Sequence, residues 1–187
     1  MVIVGLSGPD GAGKSTAVSG LAARLAAEGV TVRQVYLYGC LACRRAPGSS
    51  GGGGSGARSG LVHRLHAIVD AAELATRLAL AARGRPAVLV TDRTPLDGLV
   101  KHGDLAGPRT LAGRLYRAAA RRYALIALLD APASVLADRD RDHDEATLER
   151  LRRRFANAAA ALPNVQEISS CNSGGEPDLF GFVSKRI

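Results

Sequence analysis

The feature that most constrains this chain is a glycine-rich stretch that follows a short apolar run near the start. Residues 8–15 match the pattern G-x-x-x-x-G-K-[ST], whose glycines let backbone N–H groups turn inward around a phosphate. In such a loop Lys14 reaches the β- and γ-phosphates, and the Ser15 hydroxyl can ligate Mg²⁺. Residues 2–6 are typical of a buried strand and an amphipathic segment follows Lys14, so the phosphate is predicted to sit at a helix N-terminus. The predicted phosphate-binding residues are Gly8, Asp10, Gly11, Ala12, Gly13, Lys14, Ser15 and Thr16.

The size and hydropathy of the chain limit its class. With 187 residues and a mass of 19.4 kDa, we expect one domain over residues 1–187 with a sizeable core. Hydrophobic residues make up 47% of the chain without a long uninterrupted run, so no membrane span is predicted. The first strand begins at Val2, which leaves no room for a signal peptide, and we expect a cytoplasmic protein.

The net charge of +8 and the isoelectric point near 10.1 invite a nucleic-acid interpretation. However, the basic residues are nearly all arginine, and the only lysines are Lys14, Lys101 and Lys185. Aromatic residues are 4% of the chain and tryptophan is absent, which argues against a surface that stacks on bases. Arginine suits bidentate recognition of phosphate, so we favour a small phosphorylated ligand over a nucleic-acid polymer.

The rest of the chain alternates strand and helix patterns. Such alternation predicts a three-layer α/β/α fold with a five-stranded parallel sheet, whose ligands collect at the carboxyl ends of the strands. Three features lie at such ends: the phosphate loop, Asp92-Arg93 and Asp130. Residues 94–108 contain Pro, Gly and Asp and are predicted to be loop with a helical turn. The predicted strands cover residues 2–6, 30–37, 87–91, 124–129 and 165–168, and the predicted helices start after Lys14 and cover 61–82, 111–122, 133–139, a stretch ending near 162, and 177–187.

Two segments are predicted to be mobile or to line a cavity. Residues 44–60 include a Gly/Ser run and are typical of a flexible loop. In the helix predicted after it, the residues expected to face the core are Leu61, Leu65, Ile68, Ala72 and Ala75. The polar face of that helix either is solvated or lines a cavity for an acceptor, and it carries His63, His66, Asp70, Glu73 and Arg77.

The pairs Cys40-x-x-Cys43 and His63-x-x-His66 have ligand types and spacings that fit a tetrahedral Zn²⁺ site. The predicted flexible loop bridges the two pairs, which makes a suitable geometry easy to reach and the match less specific. The alternative is a set of unrelated thiols and surface imidazoles.

Several motifs together resemble the thymidylate kinases and related P-loop kinases. They are the phosphate loop, the Asp92-Arg93 pair after an apolar strand, and the stretch 128–132 followed by Arg139 and a charged helix. The resemblance implies an ATP-dependent kinase that uses Mg²⁺, has a short lid near residues 133–146, and forms a homodimer.

The resemblance also implies a role for each matching residue. Lys14, Asp92, Arg93 and Arg139 would be catalytic. Asp92 would orient or deprotonate the acceptor near Mg²⁺, which Ser15 and Asp92 would hold. Arg93 would clamp the acceptor and the transferred phosphate, and Asp10 would approach the acceptor. Arg139, with Arg141, would reach the ATP phosphates from the lid, whereas Asp130 has either a structural or a site role.

The acceptor stays open because the motifs that read thymine are missing. These kinases carry Arg-Glu-Pro-Gly after the second strand, where this chain has Tyr38-Gly39-Cys40. They follow Asp-Arg with an aromatic residue and Ser-x-x-Ala-Tyr-Gln, where this chain has Thr94-Pro95-Leu96-Asp97. The acceptor could therefore be a nucleoside monophosphate, a nucleoside, a sugar or a natural-product hydroxyl. A regulatory ATPase without an acceptor would need only the loop and one carboxylate.

Overall fold

The computed structural model describes residues 1–37, 57–139, 143–169 and 179–185. Five strands form one sheet in the order β2-β3-β1-β4-β5, and every pairing is parallel, as predicted. The strands are β1 (Val2–Ser7), β2 (Val32–Tyr36), β3 (Val88–Asp92), β4 (Leu125–Asp130) and β5 (Val165–Ser169). Cys40, Cys43, Arg141 and most of the predicted Gly/Ser-rich loop lie outside the described residues, so the predictions made for them stay predictions.

Helices cover both faces of the sheet, which confirms the three-layer architecture. Packed on one face are α2 (Ala57–Ala82), α3 (Pro95–His102), α4 (Leu111–Ala120) and α6 (Glu145–Ala159), and on the other α1 (Lys14–Ala27), α5 (Ala133–Arg139) and α7 (Leu179–Ser184). A short 3-10 turn, Gly103–Ala106, follows α3. In the part of the chain that the structure describes, no helix has both the length and the apolar character needed to cross a membrane.

The core lies on both sides of the three central strands. Ile3 and Ile126 face the α2–α3–α4–α6 layer, while Val4 and Ala127 face the α1–α5–α7 layer. Because the central strands are buried on both faces, they read in the sequence as continuous apolar runs rather than as alternating patterns. The edge strands β2 and β5 are partly exposed along their length.

The predicted core face of the long helix α2 is wrong. Leu61 and Leu65 are 61% and 52% exposed. The residues that pack on the sheet layer are mainly alanines and lie on the opposite side of the helix: Ala67, Ala71, Leu74, Leu78 and Ala81. The helix is apolar on both sides, so its periodicity alone does not distinguish them. It also begins at Ala57, four residues before the predicted start, which shortens the predicted loop.

The prediction for residues 94–108 is also wrong, because an eight-residue helix, α3, forms there. Its start is fixed by Thr94, whose Oγ1 accepts a hydrogen bond from the Leu96 N–H at 3.1 Å. The Asp97 carboxylate accepts a hydrogen bond from the Thr94 N–H at 2.8 Å, which completes a capping box. Pro95 occupies the first turn, where a missing N–H costs nothing. These local contacts turn a stretch rich in helix-breaking residues into a helix start.

Candidate active site

The phosphate loop connects β1 to α1 and depends on glycine at two positions. Gly8 has a φ of 141°, and a Cβ there would lie 2.2 Å from the carbonyl oxygen of Leu129. Gly13 precedes the first residue of α1 with a φ of 81°. Both backbone conformations lie in the region that side chains disfavour. The loop therefore closes tightly against β4 and delivers the unpaired N–H groups of the α1 N-terminus to its inner side.

Lys14 is the buried cation of this loop. Its side chain is only 7% exposed, and Nζ donates hydrogen bonds to the carbonyl oxygens of Gly8 at 2.9 Å and Pro9 at 2.6 Å. Nζ also lies 3.3 Å from the carboxylate of Asp10. Burial and the nearby Arg93 guanidinium lower the pKa of Lys14, while Asp10 and Asp97 oppose that shift. The carbonyl and carboxylate contacts hold the ammonium group over the loop, where it would meet phosphate oxygens.

Ser15 and Asp92 form the oxygen pair that a Mg²⁺ ion would need. Asp92 is the last residue of β3, and it pairs with Leu6 of β1 in the sheet. The Ser15 hydroxyl donates a hydrogen bond to Asp92 Oδ2 at 2.8 Å. A hydroxyl and a carboxylate beside a phosphate-binding loop are oxygen ligands of the kind that Mg²⁺ prefers, with water and phosphate completing the shell. The residues present therefore fit this ion.

Arg93 occupies an unusual backbone conformation at the end of β3. Its φ is 71°, and its N–H donates to the Leu6 carbonyl at 3.1 Å. The guanidinium bridges two carboxylates: Nη2 lies 2.5 Å from Asp10 and Nη1 lies 3.2 Å from Asp97. Although burial opposes its charge, these two carboxylates raise the pKa of Arg93. Burial alone would raise the pKa of Asp10, but Arg93 and Lys14 hold that pKa below its usual value.

Asp97 is a site residue that the sequence analysis missed. It is 4% exposed, and its Oδ2 accepts hydrogen bonds from the Ser7 hydroxyl at 2.5 Å and from the Thr94 N–H. Burial raises the pKa of Asp97, and the Arg93 guanidinium and the Ser7 hydroxyl offset part of that rise. The sequence carries a signal only for its capping role, because Thr94-x-x-Asp97 is the spacing of a capping box.

One pocket of about 220 Å³ brings most of the predicted site residues together. Tyr36, the last residue of β2, lines it as well and was also missed; its position at the carboxyl edge of the sheet was the available signal. Arg139 reaches the rim, where Nη1 lies 3.5 Å from the Gly11 carbonyl oxygen. The other residues that line the pocket are Asp10, Gly11, Gly13, Lys14, Ser15, Thr16, Asp92 and Arg93.

Gly8 and Ala12 support the pocket without lining it. The Gly8 carbonyl oxygen accepts a hydrogen bond from Lys14. Ala12 is 1% exposed, its methyl group packs in the core, and its N–H donates to the Pro9 carbonyl oxygen at 3.3 Å. Their contribution is therefore to the shape of the loop.

Asp130 does not line this pocket, although it ends the strand next to the loop. Its two carboxylate oxygens accept hydrogen bonds from Arg152 of α6, from Nε at 2.7 Å and from Nη2 at 2.5 Å. These are the contacts expected of the structural role, one of the two roles that the sequence left open.

The polar face of α2 does not reach the phosphate-loop pocket either. Asp70 is 9% exposed and accepts hydrogen bonds from Lys101 at 2.8 Å and from His102 at 2.9 Å, so it is not solvated. Glu73 and Arg77 form an ion pair within the helix at 2.6 Å.

Lys101 and His102 line a second, separate cavity of about 530 Å³ next to α4 and α6. In the part of the chain that the structure describes, His, Cys, Asp and Glu side chains form no group of three that could hold a metal. Cys40 and Cys43 fall outside that part, so the zinc hypothesis stays a prediction.

A solved structure with the same fold was found by structural comparison. Thymidylate kinase from Ehrlichia chaffeensis superposes with a TM-score of 0.62 and 18% sequence identity, over 99% of this chain and 95% of that chain. No protein-family profile and no curated protein sequence matches the chain. The chain therefore has the same P-loop fold as this thymidylate kinase, with a sequence only 18% identical to it.

Proposed function

We propose that the protein is an ATP-dependent phosphotransferase that moves the γ-phosphate of Mg-ATP to a nucleoside monophosphate or a related small acceptor. The observation that carries the proposal is that Lys14, the Ser15–Asp92 pair and Arg93 line one pocket. Phosphoryl transfer is catalysed mainly by positioning and charge neutralisation, which these groups supply. The thymidylate kinase fold supports the same class of reaction.

The donor side consists of the phosphate loop. The loop N–H groups and Lys14 bind the β- and γ-phosphates, and Arg139 approaches them from the rim through its position beside Gly11. Ser15 and Asp92 would hold Mg²⁺. When bound, this ion neutralises charge on the phosphate oxygens. The low exposure of Lys14 strengthens its attraction for those oxygens, because water screens a buried charge less.

The acceptor side consists of Asp92, Arg93 and Asp10. The acceptor oxygen attacks the γ-phosphorus while the bond from that phosphorus to the ADP oxygen breaks. Where the acceptor is a hydroxyl, Asp92 orients it and receives its proton. Arg93 places a planar pair of donors where acceptor and transferred phosphate meet, and Asp10 lies on the pocket side of that guanidinium, 55% exposed.

Acceptor-dependent ADP release tests the proposal. Purified protein with Mg-ATP is assayed against nucleoside monophosphates, nucleosides and sugars, with Lys14→Ala as the control for contaminating kinases. We expect at least one class of acceptor to raise ADP release well above the rate without acceptor. Release that depends on ATP and Lys14 but on no acceptor would replace the proposal with the regulatory ATPase. A response to hydroxyl acceptors alone would assign a nucleoside, sugar or natural-product kinase.

The proposal includes a homodimer. It is supported by a second apolar stripe on α2, opposite the side that packs in the core, formed by Leu61, Val62, Leu65 and Val69. Contiguous exposed apolar side chains of this kind mark interaction surfaces. Light scattering after size exclusion should give twice the monomer mass of 19.4 kDa, and Leu65→Glu should halve it. A wild-type monomer at micromolar concentration would remove the dimer from the proposal and leave the kinase intact.

A further inference from the structure

We propose that Asp97 is a positioning residue that fixes the Arg93 guanidinium for phosphate binding, an inference that rests on the proposed kinase function. Asp97 is buried, and no sequence motif of the chain marks it as part of the site.

The two oxygens of Asp97 face different parts of the molecule. Oδ2 accepts hydrogen bonds from the Ser7 hydroxyl of β1 and from the Thr94 N–H that caps α3. Oδ1 faces Arg93, at 3.2 Å from Nη1. Oδ2 therefore stabilises the junction of β1 and α3, whereas Oδ1 contacts the site residue Arg93. Because Ser7 and Thr94 anchor Oδ2 to a central strand and a helix start, Oδ1 has a fixed position.

The two carboxylates on Arg93 also differ in exposure. The Asp97 side chain is 3% exposed, whereas the Asp10 side chain is 55% exposed and lines the pocket. A bound phosphate can displace the exposed Asp10 from Nη2 in exchange for its own oxygens. It cannot displace Asp97 without opening the core. Asp97 thus holds the Nη1 side of the guanidinium while Nη2 changes partner.

The backbone of Arg93 shows why such a support is needed. Its φ of 71° is uncommon for a residue with a side chain and persists only where surrounding contacts enforce it. The Arg93 N–H bond to Leu6 fixes the backbone, and the Asp97 contact fixes the far end of the side chain. A long side chain held at both ends loses little entropy when it binds phosphate, which favours a precise geometry.

Asp97→Asn tests this division directly. The Asn side chain can keep its oxygen on Ser7 and Thr94, and its NH₂ group then faces Arg93 as a second donor. The cap of α3 survives, while the support of Arg93 is lost. The matched control is Asp130→Asn, which removes the same charge from the carboxylate that holds Arg152 outside the pocket.

The first readout is the NMR signal of the Arg93 Nε–Hε group, assigned by its loss in Arg93→Lys. We expect slow solvent exchange and restricted guanidinium rotation in the wild type and in Asp130→Asn, and fast exchange in Asp97→Asn. This measurement needs neither ATP nor an acceptor. An unchanged Arg93 signal in folded Asp97→Asn would overturn the proposal. Should no acceptor stimulate the wild type, the proposed kinase function fails, and the signal still decides whether Asp97 positions Arg93.

The second readout is a double-mutant cycle on acceptor kcat/KM. Asp97→Asn should lower kcat/KM by about 10- to 100-fold in the wild-type background, the loss expected of a displaced catalytic group. In the Arg93→Ala background it should change kcat/KM by less than about twofold, because the group it positions is gone. Equal losses in both backgrounds would assign Asp97 a purely structural role.

Ser7→Ala provides a second variant if Asp97→Asn does not fold. It removes one anchor of Oδ2 and keeps the carboxylate and the α3 cap. It should accelerate Nε–Hε exchange of Arg93 and lower kcat/KM in the same direction by a smaller factor. No change in either quantity would contradict the proposal.

Discussion

Two arginines in this protein each hold carboxylates near the carboxyl end of a central strand, yet they belong to different kinds of site. Arg93 follows β3 and bridges Asp10 and Asp97. Arg152 lies in α6 and makes a two-pronged contact with Asp130 at the end of β4. In the sequence both strand ends carry an aspartate, and both were candidates. The surroundings of each arginine separate them.

Arg93 has a strained backbone, lies in a bend between β3 and α3, and lines the pocket beside Lys14. Arg152 lies in the middle of a regular helix and lines neither of the two pockets described above. A second cation next to Arg93 is costly for folding but useful for binding a polyanion. An ion pair at a strand end is therefore a candidate for function where strain, like charges and a cavity coincide, and a structural contact where they do not.

The largest effect should come from Lys14, the second cation on the functional side of this comparison. Lys14→Ala should lower the rate of phosphoryl transfer by about 10³-fold or more, because the other described cations around the pocket do not replace its buried ammonium group. Lys185→Ala, at an exposed position in the C-terminal part of the chain, should leave the rate unchanged. Steady-state ADP release measures both variants. Near wild-type turnover by Lys14→Ala would end the assignment of this loop to ATP.

The next effect compares the two strand-end aspartates. Asp92→Asn keeps the shape but removes the charge that faces Ser15, so kcat should fall by about 10²-fold while ATP still binds through Lys14 and the loop. Asp130→Asn should leave kcat close to that of the wild type. Nucleotide titration and steady-state kinetics on both variants check the assignment. Normal turnover by Asp92→Asn with intact ATP binding would mean that the catalytic carboxylate does not lie at the end of β3. Asp130, at the end of β4, would then be the better candidate.

The sequence predicted most of the fold because the fold depends on patterns with strong local signals. The three buried strands are continuous apolar runs, and the glycines and lysine of the loop meet a strict spacing. The two main failures concern α2 and α3. The buried side of α2 is set by tertiary packing, and the start of α3 is set by the capping contacts of Thr94 and Asp97. In α2, the core side combines small alanines with Leu74 and Leu78, while Leu61, Leu65 and Leu80 are exposed, so hydrophobicity alone does not identify the buried side.

The site was predicted where a motif exists and missed where it depends on neighbours. Lys14, Ser15, Asp92 and Arg93 follow from the phosphate loop and from the resemblance. Asp97 reaches the site through Ser7, a residue 90 positions away in the chain. Burial of a carboxylate against a strand of that sequence separation cannot be read from spacing. Only its capping role was visible, and that role concerns the helix rather than the pocket.

A smaller effect is expected when each of the two arginines is replaced by lysine. Arg93→Lys keeps the charge but loses the planar fork, so kcat should fall and acceptor KM should rise, each by about tenfold. The combined loss of roughly 2.8 kcal/mol in kcat/KM is within the range for a hydrogen bond to a charged group. Arg152→Lys should leave both constants unchanged. Kinetics on the two variants at saturating ATP separates them. Equal kinetic losses would mean that the arginines differ less than their surroundings indicate.

Arg152→Lys should instead affect stability. It replaces a two-pronged contact with Asp130 by a single one, and a partly exposed pair of this type contributes about 1 kcal/mol to the free energy of unfolding. For a chain of this length that loss corresponds to about 2–4 °C in Tm. Thermal unfolding of Arg152→Lys beside the wild type measures it. An unchanged Tm together with lost activity would reverse the roles of the two arginines.

The smallest effect comes from a third arrangement, in which one buried carboxylate contacts a lysine and a histidine rather than one arginine contacting two carboxylates. Asp70 accepts hydrogen bonds from Lys101 and His102. Burial lowers the pKa of His102 below its ordinary 6.5, with Lys101 and His66 acting in the same direction and Asp70 in the opposite one. The unfolded chain therefore binds more protons at this position than the folded chain, and the free energy of unfolding should fall as the pH drops through about 6.5. Urea unfolding at pH 7.5 and 5.5 measures this effect. The pH-dependent loss of stability should be smaller in His102→Gln than in the wild type, whereas His63→Gln, at an exposed position on α2, should keep the full loss. If His102→Gln shows the same loss as the wild type, then burial and the Asp70 hydrogen bond cancel, and a larger loss in His102→Gln would mean that Asp70 stabilises His102 as a cation.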